Sequence, residues 1–148
     1  MKLTKKLLSM LIALTMVFTL AIPAFAAGDL SITITNEKTG HIYEAYQIFK
    51  GDVSVNKEGV FKLSNIQWGS GITPEGQNAL KNFKNGSYES AAELAAVITE
   101  TNKKEFATEV AKYLGTSSGT SVEADKTYKI SNLEAGYYLI KDTKAGDG

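Results

Sequence analysis

The sequence predicts a mainly β fold with a helical insertion, in the α+β class. Its first segment, DLSITITN at 29–36, alternates apolar and polar residues with the period of two that is typical of a half-buried strand. Its last apolar segment, YYLIK at 137–141, has the same strand character, and the residues from 73 to 115 carry helix signals instead. Strands, then helices, then strands predict a β-sandwich with helices inserted between its strands.

The residues that precede this fold have the three parts of a secretory signal peptide. Lysines lie at the start, an apolar run of about 16 residues follows at 7–22, and Ala24 and Ala26 are the small residues that a signal peptidase reads. The apolar run is shorter than the roughly 20 residues that a membrane-spanning helix needs. We therefore expect residues 1–26 to be removed by cleavage between Ala26 and Ala27, and the protein to be secreted or held at the cell surface.

The predicted mature chain, residues 27–148, is long enough for one domain with a real core. It retains 13 of the 16 basic residues and all 16 acidic residues, so its net charge is about −3, and it contains no arginine. This balance argues against a nucleic-acid partner, because nucleic-acid binding needs clustered positive charge. The chain has no cysteine, so disulfides and zinc–thiolate sites are excluded. No sequence motif predicts a bound cofactor.

Aromatic and β-branched residues predict the remaining strands. The segment HIYEAYQIFKG at 41–51 is expected to form a second strand antiparallel to the first, and 60–63 a third strand that leads towards Trp68. Strand signals return at 126–130 before the last strand. At strand spacing, the aromatic residues of the second strand and Trp68 are more often core than the lining of a ligand groove.

Three capping signals predict helices in the middle of the chain. Thr73 precedes a proline at the first helical position, Ser90 and Glu93 form a capping-box pattern, and Asn102 repeats that pattern with a glutamate three residues later. The predicted helices are a short one near 74–84 and two longer ones at 90–101 and 103–114.

No catalytic residue or metal ligand is predicted. His41 is the one histidine, and we expect it to be half-exposed at a turn, with no G-x-S-x-G motif to pair with it. The pairs Glu89–Glu93 and Glu105–Glu109 are expected on solvated helix faces, although a glycosidase-type pair depends on spatial proximity that the sequence leaves open. Gly69-Ser70-Gly71 is interpreted as a loop, since it lacks the lysine of a phosphate-binding loop.

Lys50 is the candidate for one unusual reaction. In a cysteine-free secreted β domain, a lysine amine can be joined to an Asn or Asp side chain as an isopeptide cross-link. The reaction needs a neutral, desolvated lysine and a protonated carboxyl group nearby. Lys50, at the end of the aromatic strand, has such surroundings, whereas Lys38 and Lys62 are predicted at turns or on the surface. A lysine that extends from a strand end into solvent is the alternative interpretation.

Four segments together resemble the first domain of Gram-positive major pilins, the isopeptide-forming fimbrial backbone subunits that sortases link into covalent pili. They are SITITN at 31–36, GHIYEAYQIFKGD at 40–52, LSNIQWGSGI at 63–72 and LEAGYYLIKDT at 133–143. The resemblance covers nearly all of the predicted mature chain, in order. It implies an Ig-like β-sandwich with helical insertions and a non-catalytic structural role in the cell-wall pilus, with other pilin subunits and a sortase as partners.

The resemblance also implies chemical features that these residues do not contain. The sorting signal, the pilin-motif lysine and the acceptor asparagine of an internal isopeptide bond are expected beyond Gly148, so we predict that no such bond forms within this chain. We also expect the domain to lack its closing strand or strands and to expose a sheet edge. The alternative function is a surface adhesin module that binds a host glycan or matrix protein, and a secreted hydrolase is a third hypothesis.

Overall fold

The structure is a computed structural model that describes residues 30–144, and this part of the chain is mainly β with several short helices. The predicted signal peptide and its cleavage residues Ala24, Ala26 and Ala27 lie outside these residues. The strands are β1 Leu30–Thr35, β2 Tyr43–Val55, β3 Phe61–Trp68, β4 Gly119–Thr120, β5 Val122–Ala124, β6 Thr127–Leu133 and β7 Gly136–Asp142. The helices are α1 Pro74–Leu80, α2 Ala91–Val97 and α3 Lys103–Val110, with single 3₁₀ turns at Phe83–Asn85 and Ala111–Tyr113.

The strands form two antiparallel sheets. The smaller sheet has the order β1-β6-β5. In the larger sheet β2 is central, because Glu44 pairs with Lys141 of β7 on one side and with Thr120 of β4 on the other. Beyond β4, the second half of β2 pairs with β3. The mainly β prediction with a helical insertion is thus confirmed.

The predicted pairing of the first two strands is wrong. β1 pairs with β6, with Ile32 opposite Ile130 and Ile34 opposite Tyr128, and β2 belongs to the other sheet. Ile32 and Ile34 of β1 point into the same core as Tyr43 and Ala45 of β2, so the two strands face each other across it instead of lying side by side. The seven-residue link at 36–42 is long enough to cross between the sheets, and a sequence pattern does not distinguish this arrangement from a hairpin.

The two faces of the larger sheet bury two separate cores. On one face, buried residues of both sheets pack together: Leu30, Ile32, Ile34, Tyr43, Ala45, Tyr128, Ile130, Leu133, Tyr138 and Ile140. The opposite face of β2 and β7 packs against the helices through Tyr46, Ile48, Phe49, Leu139, Leu94, Phe106 and Val110. The aromatic residues of the second strand are therefore core, as predicted, and Trp68 lies 5.3 Å from Phe49 between ring centroids.

Two of the three predicted helix caps form. The Thr73 hydroxyl accepts a hydrogen bond from the Gly76 amide at 3.2 Å, and the Ser90 hydroxyl accepts one from the Glu93 amide at 3.2 Å. These bonds satisfy amide groups that have no partner within the helix. α1 ends at Leu80, earlier than the predicted 84, and a 3₁₀ turn follows at Phe83–Asn85.

The third predicted cap is wrong, and its side chain ends the preceding helix instead. The Asn102 amide group donates to the Val97 carbonyl at 2.7 Å, and its oxygen accepts from the Thr99 amide at 2.7 Å. Ile98 is already extended, so α2 ends at Val97 and not at the predicted residue 101. α3 starts at Lys103 as predicted, without a side-chain cap.

Candidate functional site

The two most specific segments of the sequence lie side by side in the larger sheet. β2 carries the YEAYQIFKG segment and β7 carries GYYLIKD, and they pair from Tyr43 opposite Asp142 to Lys50 opposite Gly136. The register shifts between Gln47 and Phe49, so Ile48 is the extra residue of a β-bulge. This bulged strand pair is the candidate site because it carries Gln47, the buried polar residue of the described chain, and its last residue Asp142 contacts His41.

Three glycines pack against the backbone of the bulge. A Cβ atom at Gly69 would lie 2.2 Å from the Gln47 carbonyl oxygen, and one at Gly71 would lie 2.3 Å from the Gln47 nitrogen. A Cβ atom at Gly136 would lie 2.5 Å from the Phe49 carbonyl oxygen. The Gly71 amide donates to the Gln47 carbonyl at 2.8 Å. The Gly69-Ser70-Gly71 loop thus lies directly against the backbone of β2. This close contact accounts for its two glycines, and no phosphate-binding role is needed to explain them.

Gln47 is the buried polar side chain of this strand pair, with 5% of its surface exposed. Its amide group donates to the Ala135 carbonyl at 3.1 Å and to the Tyr138 hydroxyl at 3.3 Å. The Tyr138 hydroxyl in turn donates to the Glu134 carbonyl at 2.8 Å. Burial, with a smaller effect of the Glu134 charge, raises the pKa of Tyr138 to about 12. This network holds the β6–β7 connection against β2, and we assign it to stability.

Lys50 does not have the desolvated setting that isopeptide chemistry needs. It is exposed, at a point of β2 that pairs with Gln67 on one side and with Gly136 on the other. The alternative interpretation, a lysine that extends from a strand into solvent, describes its place in the structure.

His41 lies in a setting that the sequence did not predict. Instead of being half-exposed, its side chain is 9% exposed, and its Nδ1 atom lies 2.6 Å from Oδ2 of Asp142, whose side chain is 7% exposed. His41 belongs to the link between the sheets and Asp142 ends β7. Because 101 residues separate the two, no local pattern could have predicted the pair.

Aromatic rings enclose this pair. The His41 ring stacks on Tyr43 at 5.7 Å and meets the edge of Tyr128 at 6.1 Å. The Tyr128 hydroxyl donates to the Lys38 carbonyl at 2.9 Å, and the Tyr43 hydroxyl accepts from the Asn36 amide group at 2.8 Å. The cluster therefore fixes the link 36–42 from both sheets.

This cluster does not have the arrangement of a catalytic triad. The second ring nitrogen of His41, Nε2, is buried and has no hydrogen-bond partner among the described residues. A triad would place a serine, threonine or cysteine nucleophile against that atom. The geometry instead supports a clasp between the β1–β2 link and the end of β7.

The predicted acidic pairs lie on the helical surface. Glu105 and Glu109 both line a shallow groove of about 460 Å³ between α1 and α3. Glu105 is ion-paired with Lys84 at 2.7 Å and Glu109 with Lys112 at 2.8 Å, and both carboxylates are well exposed. A general acid needs a carboxyl group that burial keeps protonated, and neither residue has that setting. Within residues 30–144, no three acidic or histidine side chains are grouped as metal ligands.

A second cavity, of about 250 Å³, lies between β3 and the α2–α3 connection. Its lining is mainly apolar and comprises Phe49, Leu63, Ile66, Ala95, Ile98 and Tyr137, with Thr99, Glu100 and Lys103 beside them. Glu100 and Lys103 form an ion pair of 2.5 Å at its rim. Burial, followed by the charge of Glu100, raises the pKa of Tyr137 to about 12. We call this cavity the β3–α2 pocket.

Comparisons of the chain with protein-family models, with curated proteins and with solved structures find no match. Within the described residues, none of the helices has the length and apolar character to cross a membrane.

Proposed function

We propose that this protein is the N-terminal domain of a shaft subunit in a covalently assembled surface pilus. The observation that carries the proposal is the pairing of the two segments that most resemble major pilins. They form adjacent strands, β2 and β7, with a bulge that glycines of a third resembling segment, 63–72, accommodate.

The arrangement of the sheets supports an Ig-like β-sandwich as the finer fold. Two antiparallel sheets enclose a common core, and the helices cover the outer face of the larger sheet. Among the described strands, β1 pairs only with β6 and β7 only with β2. Each therefore has one edge at which a further strand could complete the sandwich. In this proposal the domain has no catalytic activity, and a sortase acts on segments other than those described.

The proposal is tested on cells that express the full-length gene product. Cell-wall extracts are separated under denaturing conditions and probed with an antibody against residues 27–148, and the bands are digested for mass spectrometry. We expect a ladder of multimers that contains this domain and collapses to one band when the sortase gene is deleted. A single monomer band in the presence of sortase would contradict the proposal.

The groove between α1 and α3 favours an adhesin module as the second candidate. Its lining includes Asn82, Lys84, Glu105 and Thr108, a set of polar side chains that could hydrogen-bond a glycan. We would favour this function over the pilus subunit on two results together. The purified domain would bind a glycan or matrix protein and lose this binding in the Lys84→Ala variant, and the cell-wall extracts would show no covalent ladder.

A further inference from the structure

The hydroxyl group of Tyr137 is an unsatisfied polar group at the β3–α2 pocket. It is buried and has no hydrogen-bond partner among the described residues, and Tyr137 belongs to the lining of the pocket. The charge of Glu100, another lining residue, contributes to the raised pKa of Tyr137, so the hydroxyl lies towards the polar side of the cavity. Because nearly all buried polar groups in folded proteins are hydrogen-bonded, this hydroxyl calls for a partner.

The other polar side chains of the lining already have partners of their own. Glu100 and Lys103 pair with each other at 2.5 Å, and the Thr99 hydroxyl lies 2.8 Å from that of Thr101. A water molecule held in a cavity normally makes about two to four hydrogen bonds. Among the lining groups of the described chain, the Tyr137 hydroxyl is the buried one that lacks a partner, so this pocket is poorly suited to hold a water molecule.

The size and the apolar lining of the pocket determine the rest of a fitting ligand. Its volume of about 250 Å³ exceeds the roughly 150 Å³ of an apolar cavity that holds benzene, so one six-membered ring has room. A charged ligand would lose its hydration without gaining a counterion, because Glu100 and Lys103 already neutralise each other. The pocket therefore fits a neutral molecule that is apolar except for one hydrogen-bonding group.

We propose that the β3–α2 pocket binds a small neutral alcohol or ketone, with its ring or branched chain against the apolar lining and its oxygen accepting a hydrogen bond from Tyr137. Burial and the charge of Glu100 raise the pKa of Tyr137 to about 12, so at neutral pH the phenol keeps the proton that it donates. A ligand with one ring and one hydrogen bond is expected to bind with a Kd of about 1 mM. This site goes beyond the proposed function and does not depend on it.

The test uses two probes, cyclohexanol and cyclohexane, which have the same ring and differ in the oxygen. Each is titrated into the purified mature chain and followed by the NMR signals of its backbone amides. Cyclohexanol is expected to shift the signals of the pocket residues Leu63, Ile66 and Ile98 in a saturable way. Tyr137→Phe is expected to weaken cyclohexanol binding about two- to tenfold, the value of one hydrogen bond, and to leave cyclohexane binding unchanged.

A second pair of variants tests the position of the site. Ala95→Leu places a larger side chain in the pocket and is expected to abolish binding of both probes. Ala96→Leu is the matched control, because Ala96 is exposed on the same helix and is not part of the lining. Circular dichroism melting shows that each variant is folded.

Three results would overturn the proposal. They are the absence of saturable shifts at the pocket, an equal weakening of both probes in Tyr137→Phe, and an equal loss of binding in Ala96→Leu. If Ala95→Leu does not fold, the comparison of the two probes in Tyr137→Phe still decides, since that change deletes a single oxygen. The cell-wall ladder does not depend on this pocket, so failure of the site leaves the proposed function standing.

Discussion

His41 and Asp142 join the β1–β2 link to the end of β7, since Nδ1 of the histidine lies 2.6 Å from Oδ2 of the aspartate. Both side chains are less than one-tenth exposed, and two tyrosine rings shield the histidine from solvent. In such a setting the loss of one partner leaves the other buried with no replacement from water. The pair is therefore expected to matter for stability more than any surface ion pair of the domain.

We expect Asp142→Ala to lower the free energy of unfolding by about 2–3 kcal/mol, because His41 then remains buried without its partner. Urea denaturation at pH 7 measures the change. Glu37→Ala is the matched control, since it removes an exposed ion pair with Lys126 and is expected to cost less than about 1 kcal/mol. If both variants lose the same amount, the His41–Asp142 contact does not have the buried character described above.

Gly71→Ala is expected to destabilise the domain by about 3 kcal/mol, near the upper end for overpacking. The added Cβ would lie 2.3 Å from the Gln47 nitrogen and 2.5 Å from the Tyr46 carbonyl carbon, and these backbone atoms of β2 leave it no room. Gly59→Ala is the comparison, because Gly59 has a φ of +77° but open space around it. The left-handed conformation alone costs about 1 kcal/mol there. Thermal and urea denaturation measure the stability of both variants. A larger loss of stability in Gly59→Ala than in Gly71→Ala would contradict this account.

The sequence predicted those features of the fold that depend on neighbouring residues. The alternation at 30–35 and the caps at Thr73 and Ser90 act over a few residues, and each forms where it was predicted. Asn102 fits the same capping pattern, but the Val97 carbonyl competes for its side chain and ends the previous helix. A local pattern gives no measure of such competition.

The features that sequence reasoning missed join distant residues. The pairing of β1 with β6 and the His41–Asp142 clasp both link segments about 100 residues apart. The exposure of Lys50 is also not readable from the sequence, because its neighbours Ile48 and Phe49 along the strand are buried while its own side chain is exposed. Burial in a sheet depends on what covers each face, and the order of residues does not specify this.

The fold is expected to lose stability as the pH rises from about 10 to about 12. Tyr46, Tyr137 and Tyr138 each have a pKa raised from 10.0 to about 12, with burial as the main cause. A raised pKa means that the folded state favours the neutral phenol. This contribution is complete below the unfolded pKa and disappears as the pH passes through the folded pKa. In this pH range, each proton released on unfolding lowers the free energy of unfolding by about 1.4 kcal/mol for every unit that the pH rises.

Urea denaturation at steps of pH, followed by circular dichroism, measures this slope, and absorbance at the tyrosinate band shows when the phenols ionise. We expect part of the tyrosinate signal to appear only with loss of structure. Complete ionisation of all tyrosines in a domain that keeps its native circular dichroism would contradict the assignment.

The adjacent residues Tyr137 and Tyr138 allow a matched comparison at neutral pH. The Tyr137 hydroxyl is buried and has no hydrogen-bond partner among the described residues, whereas the Tyr138 hydroxyl donates to the Glu134 carbonyl and accepts from Gln47. Tyr137→Phe removes a polar group that gains nothing from the fold, so we expect stability to be unchanged or raised by up to about 1 kcal/mol.

Tyr138→Phe leaves the Glu134 carbonyl and the Gln47 amide without a partner, and we expect it to lower stability by about 1–2 kcal/mol. Urea denaturation of the two variants under one set of conditions measures the difference directly. Both substitutions delete one oxygen, keep the aromatic ring and lie in the same strand. The difference between the two variants therefore reports mainly on the hydrogen bonds of the two hydroxyl groups. A larger loss in Tyr137→Phe than in Tyr138→Phe would mean that the hydroxyl of Tyr137 has a partner in solution and that the network around Gln47 contributes little.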